Sequence, residues 1–251
     1  MNNRESTVNR KKLSAVSLVP FFFIIFIISW VILALYIFFN EGMIRVFGQL
    51  SGMHPLFFLA VWAPAIAAFF VITLKEGFSG LKRFIARVKI FKCSLSWCLF
   101  ILIGIPLVFY IGAAMKGTLF TEPFPISGGI FSILTVFLLA VIKGPIEEFG
   151  WRGFALPLIQ RYVAPLWAGI ILGLIWGIWH LPAFLISGTQ QSGWSFAPFF
   201  LGTIAISVLA TALFNASKGS ILLAAILHLQ FMNPFWPDAL PFVTYFFVFF
   251  I

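Results

Sequence analysis

The sequence predicts an all-α bundle of about eight transmembrane spans with a cytosolic N-terminus, and three observations carry that prediction. Hydrophobic residues make up 62% of the 251 and charged residues only 9%, against about 25% charged in soluble domains. The apolar residues gather into runs near 20 residues long, the length that crosses a bilayer as a helix. The basic residues fall between alternate runs, as the positive-inside rule requires. A water-soluble core is excluded, and the chain shows no second soluble domain, low-complexity linker or internal repeat.

The first span is expected from about Val19 to Phe39, behind a basic head containing Arg4, Arg10, Lys11 and Lys12. Its length exceeds a signal-peptide core and no small-residue cleavage site follows, so it reads as a retained helix. Further spans are expected near Leu56–Leu74, Ser94–Ala114, Ile130–Gln160 (long and interrupted), Leu166–Phe184, Ala197–Phe214, Ser220–Met232 and Ala239–Ile251. The last two are short, and the chain stops at Ile251 without a polar tail.

The connection after the second span holds Lys75, Lys82, Arg83, Arg87, Lys89 and Lys92, while the alternate loops hold only Arg45 and Lys116. This places the N-terminus and the Lys75–Lys92 loop in the cytosol. Phe78, Leu81, Phe84, Ile85 and Val88 recur at helical spacing there, which suits a short amphipathic helix on an anionic leaflet or an ordinary basic connector. The net charge of +9 is therefore a topology and lipid signal. Nucleic acid is not an expected partner, because the basic residues flank spans and lack an aromatic stacking platform between them.

Cys93 and Cys98 are expected to be apolar filler, since two cysteines in a reducing compartment make neither a disulfide framework nor a zinc ribbon. His54, beside Pro55 at the outer edge of the second span, reads as an interfacial residue.

The chemistry is concentrated in the second half. Glu147, Glu148 and Arg152 lie within an apolar segment, where each ionised side chain costs roughly 2.5–3.5 kcal/mol on insertion scales. Such groups must be paired, hydrated or used in chemistry. Lys143-Gly144-Pro145 precedes them and should kink the helix. Glu148 and Arg152 are four apart and share a helix face, so a salt bridge is available. Lys143 and Glu147 have the same spacing across the kink. Two such ion pairs would simply lock the bundle.

Two histidines weigh against a mere lock. Gly169, Gly173 and Gly177 lead at intervals of four to His180, and Ser220 and Ala224 lead to His228. Small residues at that spacing let helices approach closely, which points both imidazoles into the bundle. Simple counting puts Glu147 toward the cytosolic end of its segment and His180 toward the outer end of the next. The two meet only if the fourth segment is long and tilted or the fifth begins before Ala164-Pro165.

Three motifs in this region resemble the type II CAAX prenyl protease and bacteriocin-processing (CPBP; Abi, lysostaphin-resistance-like) intramembrane endopeptidases. The first is Glu147-Glu148 followed, after three intervening residues, by Arg152, in the setting Gly150-Trp151-Arg152-Gly153. The second is an aromatic residue four before a histidine, matched by Trp176 and His180. The third is a histidine four before Asn or Asp; His228 matches, but position 232 is Met and Asn233 comes one residue late.

The resemblance implies peptide-bond hydrolysis in the bilayer and a division of the chain. Residues 1–128 would form N-terminal helices with the basic loop, 129–235 a catalytic core, and 236–251 a final span. Glu147 would be the general base aided by His180, with His228 and Asn233 as oxyanion stabilisers and Glu148 with Arg152 holding the geometry. A zinc version would use Glu147, His180 and His228 as ligands; the lack of a His-Glu-x-x-His segment favours a metal-free mechanism. The substrate would be a membrane-associated peptide or protein, and the location an integral multi-pass one, the plasma membrane in a bacterium. Two other readings are a non-catalytic bacteriocin-immunity or scaffold protein of the same fold and a proton-coupled transporter. A transporter would more often carry paired interruptions, and here there is one.

Overall fold

Apolar segments that must satisfy their own backbone in lipid can only coil, and the computed structural model, which describes residues 13–120 and 129–249, is helical wherever it is regular among them. The elements are α1 (Leu18–Phe38), α2 (Asn40–Phe47), α3 (Pro55–Ala86), α4 (Leu95–Lys116), α5 (Gly129–Ile142), α6 (Gly144–Glu148), a π-helical segment (Phe149–Ala155), α7 (Leu156–Ile159), α8 (Pro165–Trp179), α9 (Phe196–Ala216), α10 (Ile221–Phe231) and α11 (Phe242–Phe249).

Among the described residues, six stretches are long and apolar enough to cross a membrane: Ala15–Phe38, Pro55–Lys89, Leu95–Lys116, Gly129–Ile159, Pro165–Leu185 and Phe196–Ala216. The two short expected spans are α10 and α11. The protein is thus an integral multi-pass membrane protein. The basic head with Arg4, Arg10, Lys11 and Lys12, and the last two residues of the expected final span, lie outside the described residues.

Two features differ from expectation. The short helix α2 was not foreseen. The second span and the amphipathic stretch form one element, broken only at Gly77, whose φ of +69° is a conformation that glycine adopts without strain. Cys93 and Cys98 are free and half-buried. Burial, with hydrogen bonding to Cys98, pushes the Cys93 thiol up to about 11, as suits an inert packed thiol.

Proline within a span leaves a carbonyl unpaired, and side chains repair the loss. Pro64 in α3 cannot donate to Ala60, and the Ser29 hydroxyl donates to that carbonyl at 2.8 Å instead. Trp179 Nε1 in turn donates to Ser29 Oγ at 2.8 Å. At the second break, before Pro145, Trp62 Nε1 donates to the Ile142 carbonyl at 2.8 Å. These bonds tie α1, α3 and α8 around one core, to which Phe21, Ile72, Trp151 and Leu172 contribute side chains that are at most 1% exposed.

The glycines beside the acid pair set how closely the elements pack. A Cβ on Gly150 would come within 2.5 Å of the Pro64 carbonyl oxygen, and one on Gly153 within 2.9 Å of the Phe84 ring. The π-helical segment is therefore pressed against both halves of α3. Small residues on α8 do the same: a Cβ on Gly173 would meet Ile204 Cα of α9 at 2.7 Å.

Candidate active site

The break at Lys143-Gly144-Pro145 is where the sequence puts it. Lys143 leaves helical geometry (φ −86°, ψ −94°), and α6 restarts with Pro145 in its first turn, where its missing N–H costs nothing. Lys143 does not turn toward Glu147, so that expected pair is corrected. Its ammonium lies 5.3 Å from the Phe58 ring centroid and 3.9 Å from Met53 Sδ. Rotation at the non-helical residue carries it to α3.

Glu147 and Glu148 are 4% and 1% exposed, and Arg152 is fully buried. Glu147 Oε2 accepts hydrogen bonds from two indoles, Trp151 Nε1 at 3.1 Å and Trp176 Nε1 at 2.9 Å. Glu148 Oε1 accepts from Arg152 Nη1 at 2.8 Å, the i,i+4 pair that the spacing predicts. His228 Nδ1 lies 2.8 Å from that same oxygen. An ionised carboxylate only accepts, so Nδ1 carries the proton and Nε2 is left as the other ring nitrogen of the site.

Trp176 joins the parts. Its ring lies under the Arg152 guanidinium, 4.7 Å from Cζ, and its edge meets His228 at 5.2 Å between centroids. Its carbonyl is 2.8 Å from His180 Nδ1. A carbonyl cannot donate, so Nδ1 again bears the hydrogen and Nε2 holds the lone pair in neutral His180. His180 is half-buried at the C-terminal end of α8, against Trp179 and Phe199. The sequence singled out Trp176 only as a motif aromatic. Its part as the group linking Glu147, Arg152 and both histidines was missed, and its fixed spacing to His180 was the one available signal.

The fourth segment is long, one of the two conditions for Glu147 and His180 to meet, while α8 begins at Pro165 and not before it, so His180 lies one turn beyond Trp176. Counted from the turn between Ile159 and Pro165, Glu147 lies as many residues back as Trp176 lies forward, to within one. Both therefore sit at a similar depth.

The third motif is only half present in space. Met232, at the end of α10, turns its sulfur toward Gly144, where an added Cβ would be 2.1 Å from Met232 Sδ and 2.5 Å from His228 Nε2. Glycine at 144 is what lets the imidazole approach α6. Asn233 is engaged elsewhere: Oδ1 accepts from Phe235 N at 3.0 Å, and Nδ2 donates to Gln230 at 3.4 Å. Gln230 in turn donates to the Ile101 carbonyl. Neither amide bonds the acid cluster, so the expectation that Asn233 joins the oxyanion site is not carried by this geometry.

A zinc ligand set of Glu147, His180 and His228 is not assembled either. Glu147 Oε2 is taken by two indoles, and His228 points Nδ1 at Glu148. No three His, Cys, Asp or Glu side chains among the described residues are grouped to hold an ion.

Three buried polar atoms of the cluster have no hydrogen-bond partner among the described residues: Glu148 Oε2, Arg152 Nε and Arg152 Nη2. Leaving such atoms unsatisfied is costly, and in native sites they mark where water or a ligand binds.

Comparison with known proteins places this geometry. Residues 129–232 match the family described as type II CAAX prenyl endopeptidase Rce1-like. The chain is also 30% identical over 198 aligned residues to CAAX prenyl protease 2 of Methanococcus maripaludis, across 71% of this chain and 70% of the relative.

Proposed function

Because this chain belongs to the type II CAAX prenyl endopeptidase family and is an intramembrane protease, we propose that it hydrolyses a peptide bond of a membrane-associated protein or peptide with Glu147 as the general base. The observation that carries this reading is the Glu147 carboxylate, buried beside α8 and held through one oxygen by two indole N–H groups. Oε1 makes no hydrogen bond among the described residues and is the oxygen offered to a water. A base fixed in this way is oriented before the reaction begins.

Amide hydrolysis needs three things of the site: a water made nucleophilic, a stabiliser for the tetrahedral oxyanion, and a proton for the leaving amine. Glu147 takes the proton from water and returns it to the leaving nitrogen. His180 Nε2 accepts a hydrogen bond from the same water. The imidazolium form of His228 and the unpartnered Arg152 N–H groups are the donors available to the oxyanion. Glu148 is a positioning residue that holds Arg152 and His228 through one oxygen. The relative is named a CAAX prenyl protease, and a membrane-anchored C-terminal peptide is the substrate class proposed for this chain.

Purified protein in detergent, offered prenylated and unprenylated versions of a membrane-anchored peptide, tests the reading. Cleavage at one peptide bond supports it. Solute or proton flux in proteoliposomes without cleavage of any peptide would overturn it in favour of transport.

A further inference from the structure

The segment after Gly77 has two unlike faces. Gly80 and Phe84 are buried, whereas Phe78 (75% exposed), Lys82, Ile85 and Lys89 form an exposed stripe at intervals of four, three and four. Phe91 and Lys92 extend it. Apolar side chains alternating with lysines on one exposed face match the boundary between acyl chains and anionic headgroups. Arg83 is paired with Glu76 at 3.0 Å, so Lys82 and Lys89, with Lys92 at its end, are the stripe's cations.

The other face holds the site together. Arg87 Nη1 donates to the Gly153 carbonyl at 2.8 Å, next to Arg152 in the π-helical segment. Its Nη2 donates to Gly219 at 3.4 Å, just before α10, while its guanidinium lies between the Phe84 and Phe214 rings. Ser220, the N-cap of α10, donates through Oγ to the Ile90 carbonyl at 2.5 Å. One short stretch, Arg87 to Ile90, thus ties the segment bearing Arg152 to the helix bearing His228. A cavity of about 200 Å³, lined by Glu76, Gly80, Arg83, Phe84 and Arg87 together with Leu13 and Ile72, lies beside Arg87 and not under the stripe.

We propose that the Phe78–Lys92 segment is a binding site for anionic phospholipid headgroups, and that Arg87 is a positioning residue through which lipid binding sets the register of Arg152 against His228. Lysines 82 and 89 attract the headgroups, and Phe78 and Ile85 seat the helix at the acyl boundary. The seated helix then fixes Arg87, and with it both catalytic elements.

The activity readout rests on the protease reading; the lipid readout does not. The full chain is reconstituted in phosphatidylcholine vesicles with increasing phosphatidylglycerol, and retained lipid is measured by native mass spectrometry. In the wild type, kcat rises with phosphatidylglycerol while KM changes little. Lys82→Gln with Lys89→Gln keeps the phosphatidylcholine rate but needs more phosphatidylglycerol for half-activation, about fivefold per lysine removed. Arg87→Gln retains phosphatidylglycerol as the wild type does, yet its kcat no longer responds, and Arg87→Lys restores part of the response. The proposal is overturned if wild-type kcat ignores phosphatidylglycerol, if the double lysine variant responds like the wild type, or if inorganic phosphate reproduces the effect. If no vesicle supports cleavage, the protease reading fails, and retention that survives loss of both lysines would still sink the lipid site.

Discussion

His228 Nδ1 and Arg152 Nη1 meet the same oxygen, Oε1 of Glu148, each at 2.8 Å. The two adjacent glutamates thus have different partners. Glu148 is neutralised by a cation and an imidazole, while Glu147 is held by neutral indoles. On the proposed reading, Glu147 is the carboxylate that keeps one oxygen for a water.

The Glu148–Arg152 pair should behave as a buried ion pair. Removing Arg152 alone, as in Arg152→Ala, leaves a buried carboxylate and should cost roughly 3–5 kcal/mol. Glu148→Gln should cost a similar amount by stranding Arg152. The double variant Glu148→Gln/Arg152→Gln should be more stable than either single one, measured by thermal unfolding in detergent. Additive losses would mean that the pair is not coupled.

Trp176 should matter for both rate and folding. Trp176→Phe keeps a ring beneath Arg152 but removes the N–H that donates to Glu147. A hydrogen bond to a charged group contributes about 1.5–3 kcal/mol to stability, so the unfolding temperature should fall, and kcat should fall roughly 10- to 100-fold if the same bond orients the base. Trp179→Phe loses the bond to Ser29 and trims the ring that packs on Trp151 and His180 but leaves both indole bonds to Glu147, and it should retain far more activity.

Gly144 should tolerate no side chain. Gly144→Ala places a Cβ against Met232 Sδ and His228 Nε2, and such overpacking costs typically about 1–3 kcal/mol. Met232→Ala should relieve the sulfur contact and recover part of the stability, but not the activity, because the imidazole stays displaced. Full activity in Gly144→Ala would show that His228 does not need its approach to α6.

The proposed orientation is open to labelling. With Cys93 and Cys98 replaced by Ala, a cysteine at Ser192 should react with an impermeant reagent added outside intact cells, and one at Lys82 should not. The reverse pattern would invert the map.

The sequence revealed those features that depend on composition and short-range spacing. The apolar segments, the break at Gly144-Pro145 and the Glu148–Arg152 pair follow from run length, proline chemistry and the i,i+4 rule. The π-helical turn did not, because it is set by how Gly150 and Gly153 let α3 approach, a matter of tertiary packing. The choice of Glu148 over Glu147 by His228 depends on the rotation of α10 against α6, which no local pattern encodes. Lys143 illustrates the same limit: its spacing pointed to Glu147, and one non-helical residue sent it to Phe58.

The central claim is that Glu147 does chemistry and is not part of a structural lock. Glu147→Gln preserves size and the acceptor oxygen for both indoles while removing the base. Cleavage of a membrane-anchored peptide by the purified variant should fall at least ~10²-fold, with insertion and unfolding temperature close to wild type. Cleavage at the wild-type rate would contradict the account and return the whole cluster to a purely structural role.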